Sequence, residues 1–144
     1  MRLSTRGRYA VRAMLDLALH NEGSPILRQD IARRQDLSMH YLEQLLVRLR
    51  KARLVESVRG PGGGYRLARS PAHIRISDIV LAVEGPIVLA PCLNESSSPK
   101  CRRAPECVTH ELWRSLSEQI VEALDAVTLA NLCQQTLELT GPAS

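Results

Sequence analysis

The sequence contains no phenylalanine, and aromatic residues make up only 3% of its 144 residues. A core must therefore be built from Leu, Ile, Val and Ala, a composition that favours helices. No apolar run reaches the length of a membrane span, and Arg12 and Asp16 interrupt the apolar stretch from Ala10 to Leu19. These absences predict a single, mainly helical domain that is cytoplasmic and not membrane-bound.

Cysteine is also scarce, and three of the four cysteines fall in one segment that is rich in Ser, Pro and charge. Cys92, Cys101, Cys107 and His110 have the spacing C-x8-C-x5-C-x2-H. In a cytoplasmic protein such a cluster indicates metal ligands or redox-active thiols rather than disulfides. Cys133 stands apart, and we expect it to be buried as a small hydrophobic side chain.

Three kinds of site fit the cysteine cluster. An iron–sulfur cluster and a structural zinc ion both accept thiolate and imidazole ligands. A redox-sensing thiol is the third, because Lys100, Arg102 and Arg103 would favour thiolate over thiol. The long gaps between the first ligands favour a larger cluster over zinc. A Cys107–His110 catalytic dyad lacks a third, orienting residue, so we expect no enzyme.

Charge is divided unequally along the chain. Residues 1–70 contain fourteen Lys or Arg against six Asp or Glu, whereas residues 71–144 contain five against nine. A half-chain with this excess of cations is typical of proteins that bind nucleic acid. Double-stranded DNA is therefore the predicted partner of the first half.

The periodicity of apolar residues predicts a helix-turn-helix followed by a hairpin. The glycine-rich tip between the two strands has neither the spacing nor the context of a nucleotide-binding loop. A hairpin attached directly to a helix-turn-helix is a wing. The predicted elements are helices at Ser4–His20, Leu27–Gln35 and Ser38–Arg53 and strands at Leu54–Val58 and Tyr65–Ala68.

The predicted DNA contacts lie at the start of the first helix, on the third helix and in the wing. We expect Arg59 to enter the minor groove. Glu43 can accept from cytosine N4, and Gln44 can pair with adenine. The full set is Arg2, Arg6, Arg8, Ser38, His40, Tyr41, Glu43, Gln44, Arg48, Arg59, Gly60, Gly62, Gly63 and Arg66.

The second half predicts two further helices around the cysteines. A short helix covers Ile76–Val83, and a long amphipathic helix begins at Pro105. The apolar face of the long helix is too broad for one domain to cover, which predicts a homodimer. Thr128 is expected to cap a short last segment that ends at Cys133.

These elements divide the chain into four parts. They are a winged helix-turn-helix domain over residues 1–85, a cysteine-rich cluster-binding loop over 86–111, a dimerisation helix with a short terminal helix over 105–133, and a tail over 134–144. We refer to residues 86–111 as the cysteine loop.

Four motifs in order resemble the family of iron–sulfur cluster regulators of the IscR type. They are MRLSTRGRYAV from Met1, YLEQLL from Tyr41, VRGPGGGY from Val58 and CVTHELW from Cys107, and the likeness covers about residues 1–133. The resemblance implies a homodimeric winged helix-turn-helix transcription factor in which Cys92, Cys101, Cys107 and His110 bind one 2Fe–2S cluster per protomer. The family usually has a shorter gap between its first two cysteines than this chain.

The resemblance also implies a function. The chain is expected to sense iron–sulfur cluster occupancy or redox state and to repress cluster biogenesis genes from an inverted-repeat operator. Cluster-assembly proteins would be the cluster donors. The alternative is a winged-helix regulator with a structural zinc, or a thiol or nitric-oxide switch, at the same cysteines.

Overall fold

A computed structural model describes residues 4–93 and 102–141 of the chain. The described residues form six α-helices and one antiparallel hairpin, which confirms the predicted mainly helical fold with a small wing. The elements are α1 (Thr5–Leu19), α2 (Arg28–Gln35), α3 (Met39–Lys51), β1 (Val55–Val58), β2 (Gly64–Leu67), α4 (Ile76–Glu84), α5 (Val108–Asp125) and α6 (Leu129–Thr140).

The core lies where α1, α2, α3 and α4 meet, and it contains only aliphatic side chains and Met14. Ala10 and Ala13 are fully buried on α1, where their small side chains allow α4 to pack closely. Four leucines of α3 complete the interior, namely Leu42, Leu45, Leu46 and Leu49. Aliphatic side chains therefore fill the core without phenylalanine.

Side-chain caps fix the starts of two helices, and the cap at Thr128 confirms the prediction. The Ser38 hydroxyl accepts a hydrogen bond from the Tyr41 backbone N–H at 3.1 Å, which fixes the start of α3. Thr128 and Asn131 cap each other at the start of α6. Between α2 and α3, Asp36 adopts a left-handed conformation with φ of 54°, which gives the tight turn of the helix-turn-helix.

The structure corrects two boundaries in the second half. The short terminal segment predicted to end at Cys133 is wrong, because α6 continues to Thr140 through residues that were assigned to the tail. Leu, Gln and Glu are good helix formers, and α6 packs against α1. The long helix begins at Val108 rather than Pro105, since residues 104–106 form a 3-10 turn and Cys107 is the N-cap of α5.

The apolar face of α5 is open in the single chain. Ser117 is the only buried residue of this helix, and Val108, Leu112 and Trp113 are exposed. A homodimer would cover this face and stays a prediction. Among residues 4–93 and 102–141, no helix is both long and apolar enough to span a bilayer.

One charged group is buried in the helical core. The Asp16 side chain of α1 is 1% exposed and accepts hydrogen bonds from Arg34 at 2.7 and 2.9 Å and from Gln35 at 3.0 Å. Burial alone would raise the pKa of Asp16, but the bonds from Arg34 and Gln35 and the Arg34 charge outweigh it and lower the pKa. The carboxylate thus ties the carboxyl end of α2 to α1.

We expect Arg34→Met to lower the free energy of unfolding at pH 7 by about 2–3 kcal/mol, because it leaves the buried carboxylate without its cation. The lowered pKa of Asp16 means that this stabilisation exists above the unfolded pKa of about 4 and is lost as the pH falls through the folded value. The difference between the wild type and the variant should therefore shrink in acid. Urea unfolding between pH 3 and pH 7 measures both.

The matched control is Arg33→Met on the same helix. Arg33 is 75% exposed and makes only a surface pair with Asp30 at 3.4 Å, so its loss should change stability little. Equal destabilisation by the two variants would contradict a special role for the buried pair.

Candidate nucleic-acid interface and metal site

The exposed start of α3 presents the side chains predicted to read bases. His40 and Gln44 are exposed one turn apart, and the Gln44 amide lies 3.1 Å from the His40 imidazole, Nε2 to Nε2. Glu43 is partly exposed and forms an ion pair with Arg28, the first residue of α2. Neighbouring side chains thus already hold the three side chains that are predicted to contact bases. The pair of Arg28 with Glu43 could not be predicted from local sequence, because the two residues belong to different helices.

Two other predicted contacts of α3 have partners inside the protein. The Tyr41 ring meets the Tyr9 ring edge to face, with centroids 6.0 Å apart, and Arg12 lies 4.9 Å above the Tyr9 ring. The Arg48 guanidinium donates to the Val83 carbonyl at 3.3 Å. Arg48 therefore connects α3 to the end of α4.

Two open grooves contain half of the predicted DNA contacts. A groove of about 840 Å³ runs between the start of α1 and α3, and a groove of about 420 Å³ lies between the start of α2 and the wing. Both are rich in cations, as DNA backbone contacts require. The first is lined by Arg6, Tyr41, Gln44, Leu45, Val47, Arg48 and Lys51, and the second includes Arg28, Arg50, Arg59, Gly60 and Gly63.

The wing is tied to the helices by its own backbone. Ile26 and Tyr65 exchange two backbone hydrogen bonds of 2.8 Å, so the segment before α2 adds a bridge to the hairpin. A Cβ on Gly64 would lie 2.3 Å from the Ile26 carbonyl oxygen, and a Cβ on Gly63 would lie 2.2 Å from that of Val58. These glycines are needed for the hairpin itself, whatever they contact in DNA.

The cations of the interface differ in their partners. Arg66 pairs with Glu56 on the opposite strand at 3.0 Å. Arg59 is exposed at the tip and has no ion pair within the part of the chain that the structure describes. Arg8 is exposed on α1, and Arg2 lies outside the described residues. Arg59 is therefore the wing cation whose charge is left for an external anion.

The structure brings Cys92 and His110 together. Cys92 lies in the 3-10 turn at residues 91–93, His110 lies in the first turn of α5, and His110 Nδ1 is 3.1 Å from Cys92 Sγ. The backbone N–H of Leu89 donates to the Ser117 hydroxyl at 3.0 Å, which anchors this part of the cysteine loop to α5. An open cavity of about 600 Å³ adjoins the pair.

Cys107 is the N-cap residue of the same helix. Its Sγ lies 3.0 Å from the Thr109 hydroxyl. The pKa of the Cys107 thiol is lowered first by the bond with Thr109, then by the His110 backbone N–H, with a smaller effect of the Arg103 charge. Cys133 on α6 differs from Cys107, because it is half-buried and burial raises the pKa of its thiol.

A metal centre needs several donor side chains grouped around one point. Cys101 lies outside the described residues, and within residues 4–93 and 102–141 no three His, Cys, Asp or Glu side chains are grouped closely enough to hold a metal ion. The contact between Cys92 and His110 and the lowered pKa of Cys107 nevertheless give the thiolate and imidazole chemistry of a soft metal site. The residue types of these donors fit such a centre, but the structure brings only Cys92 and His110 of the described donors into contact.

Comparison with known proteins gives consistent likenesses over nearly the whole chain. Residues 3–135 match the model of the Rrf2 family, described as iron-dependent transcriptional regulators. The regulator IscR of Vibrio vulnificus is 47% identical over 132 residues, which is 92% of this chain and 77% of that protein.

Two solved structures share the fold. IscR from T. potens has a TM-score of 0.78 at 39% identity, over 100% of this chain and 94% of that one. CymR, the global cysteine regulator of B. subtilis, has a TM-score of 0.76 at 37% identity, over 94% of this chain and 98% of that one.

The close packing of Gly63 predicts that Gly63→Ala destabilises the protein more than Gly62→Ala does. Gly62 has a φ of 75° and open space around its Cβ position, so alanine there costs about 1–2 kcal/mol of backbone strain alone. At Gly63 the added Cβ meets backbone oxygen that no side-chain rotation can move. Thermal unfolding of the two variants measures the difference, and a larger loss for Gly62→Ala would contradict the assignment.

Proposed function

Because the chain belongs to the Rrf2 family of transcriptional regulators, we propose that it is an iron–sulfur-sensing member whose DNA binding depends on a 2Fe–2S cluster. Family membership confirms the predicted DNA-binding, winged helix-turn-helix regulator and the prediction that the chain is not an enzyme. We further propose that it represses genes of cluster biogenesis. The observation that carries the proposal is the contact of Cys92 with His110 in the first turn of α5, the helix whose N-cap residue is Cys107.

Cys92, Cys101, Cys107 and His110 would be the ligands, with one cluster per protomer. A bound cluster would supply an iron centre whose presence depends on iron supply and oxidants. The Thr109 hydrogen bond and the His110 backbone N–H lower the pKa of the Cys107 thiol, which favours the thiolate form that binds iron. An imidazole binds iron only through an unprotonated ring nitrogen, so acid would disfavour cluster binding at a histidine ligand.

Described contacts connect the cysteine loop to α3. Arg48 joins α3 to the Val83 carbonyl at the end of α4, and the chain leads from there to Cys92. At the other end of α4, Ser77 hydrogen-bonds to Asp125 of α5. A ligand at the cysteines can change DNA binding only as far as it favours one arrangement of these helices over another. α4 contacts both α3, which carries the predicted base contacts, and α5, which carries His110.

We propose a two-fold homodimer that binds an inverted-repeat operator. The exposed Val108, Leu112 and Trp113 of α5 would be covered by the same helix of a second copy. Two copies related in this way would place their α3 helices at two half-sites of one duplex. Cytoplasmic location and cluster delivery by assembly proteins stay predictions.

Replacing Cys92, Cys107 or His110 by Ala should abolish or strongly reduce the visible absorption, iron and acid-labile sulfide of anaerobically purified protein, because each removes a proposed ligand. Cys133→Ala is the matched control, since its partly buried thiol lies on α6 and should not alter the cluster. Zinc in place of iron and sulfide would support a structural zinc site. Full metal-free folding with reversible oxidation at Cys107 would support a thiol switch instead.

For DNA binding, Arg59→Gln should weaken the affinity and reduce the salt dependence by about one counterion per protomer, since no carboxylate among residues 4–93 and 102–141 pairs with Arg59. Arg66→Gln should change the salt dependence less, because Glu56 already compensates that charge. Fluorescence anisotropy over a range of KCl concentrations gives both slopes. Equal slopes for the two variants would contradict the different roles of these arginines.

A further inference from the structure

We propose that Arg28 determines sequence specificity by positioning the carboxylate of Glu43, so that Glu43 reads a base as a single, charge-compensated acceptor. The inference rests on the proposed DNA-binding function and assigns a role to a residue outside the predicted DNA contacts. The ion pair between Arg28 Nη1 and Glu43 Oε1 is the observation that carries it.

The pair bridges the two helices of the helix-turn-helix. Arg28 is the first residue of α2, and Glu43 lies in the second turn of α3, fifteen positions along the chain. The connecting turn is fixed by the left-handed Asp36 and by the Leu37 N–H, which donates to the Ala32 carbonyl at 2.9 Å. Arg28 therefore reaches Glu43 from a constrained direction.

The pair has little to contribute to stability. The side chains of Arg28 and Glu43 are 44% and 41% exposed, and exposed ion pairs generally stabilise a fold only slightly. What the pair does change is the carboxylate itself, because it fixes the orientation of one of the longer, flexible side chains of α3. Its consequences should therefore appear in recognition rather than in folding.

Charge makes the positioning necessary. Glu43 is the only acidic residue of α3, and it lies on the face that also presents His40 and Gln44. A free carboxylate on such a face is repelled by the phosphates that the surrounding arginines attract. Pairing with Arg28 compensates this charge and leaves Oε2 to accept from a base amino group, such as cytosine N4.

The neighbouring groove offers a competing role for Arg28. Arg28 lines the same groove of about 420 Å³ as Arg50 and Arg59, where it could contact a DNA phosphate. A phosphate contact carries no base information and would act independently of Glu43. The two roles therefore differ in their dependence on sequence and on the residue at position 43.

The test is a double-mutant cycle on DNA recognition. A preferred duplex is selected from a randomised pool with anaerobically purified wild-type protein, and each of its base pairs is then substituted in turn. The affinities of wild type, Arg28→Met, Glu43→Gln and the double variant are measured for every duplex. Arg33→Met serves as the control for loss of one α2 cation, and thermal unfolding confirms that all variants remain folded.

If Arg28 positions Glu43, Arg28→Met should reduce the discrimination at one base pair by about fivefold or more, which is within the range of a single base contact. The same substitution in the Glu43→Gln background should leave that discrimination unchanged, because no carboxylate remains to be oriented. Arg33→Met should preserve the base preference.

Two results would overturn the inference. An equal loss of affinity on all duplexes, the same in both Glu43 backgrounds, would assign Arg28 to a phosphate. No change in discrimination at any base pair would leave Glu43 without a need for Arg28. Failure of the wild type to select any duplex would reject the proposed DNA binding itself, a result that is distinct from additive behaviour of the two substitutions.

Discussion

The buried carboxylate of Asp16 is the constraint on which the placement of the helix-turn-helix depends. It accepts three hydrogen bonds from Arg34 and Gln35 at the end of α2. The Arg12 guanidinium of α1 also donates to Gln35, to the side-chain oxygen at 3.1 Å and to the backbone carbonyl at 2.9 Å. An aliphatic core resists separation of the helices but tolerates sliding, since its contacts are not directional. Directional bonds to a charge fix the register of α2 on α1, and the tight turn then fixes α3.

The other half of the structure depends on α4, which is buried between elements of different function. It packs on α1 and α3 on one side and on α5 on the other. Backbone bonds from Ile76 to Val127 at 2.9 Å and from Leu129 to Ile74 at 2.8 Å join its start to the α5–α6 connection. The cysteine loop runs from the end of α4 into the start of α5, and its described residues contact α5 through the Leu89–Ser117 hydrogen bond and the Cys92–His110 pair.

The fold was largely accessible from the sequence because its signals are local. Apolar periodicity predicted α1 to α4, the cap at Thr128 predicted the start of α6, and the glycine-rich tip predicted the wing. The end of α6 was missed, because Gln134, Gln135 and Glu138 looked like a polar tail. Their helix is held by the capping box at its start and by packing on α1, and the second of these is a long-range contact that the local sequence does not reveal.

The candidate site was accessible in its residue types but not in its pairings. An arginine in a basic sequence predicts that an anion binds there, but the arginines differ in their partners within the protein. Arg28 pairs with Glu43 and Arg66 pairs with Glu56, whereas Arg59 has no ion pair among the described residues. Coulomb attraction to DNA is long-ranged and depends on total charge, whereas base reading needs a side chain held in one orientation. A cation paired with a carboxylate attracts DNA less strongly, but the pair holds both side chains in one orientation. On a basic surface of this kind, unpaired arginines can therefore contribute mainly to DNA affinity, and arginines paired with a carboxylate can contribute to specificity.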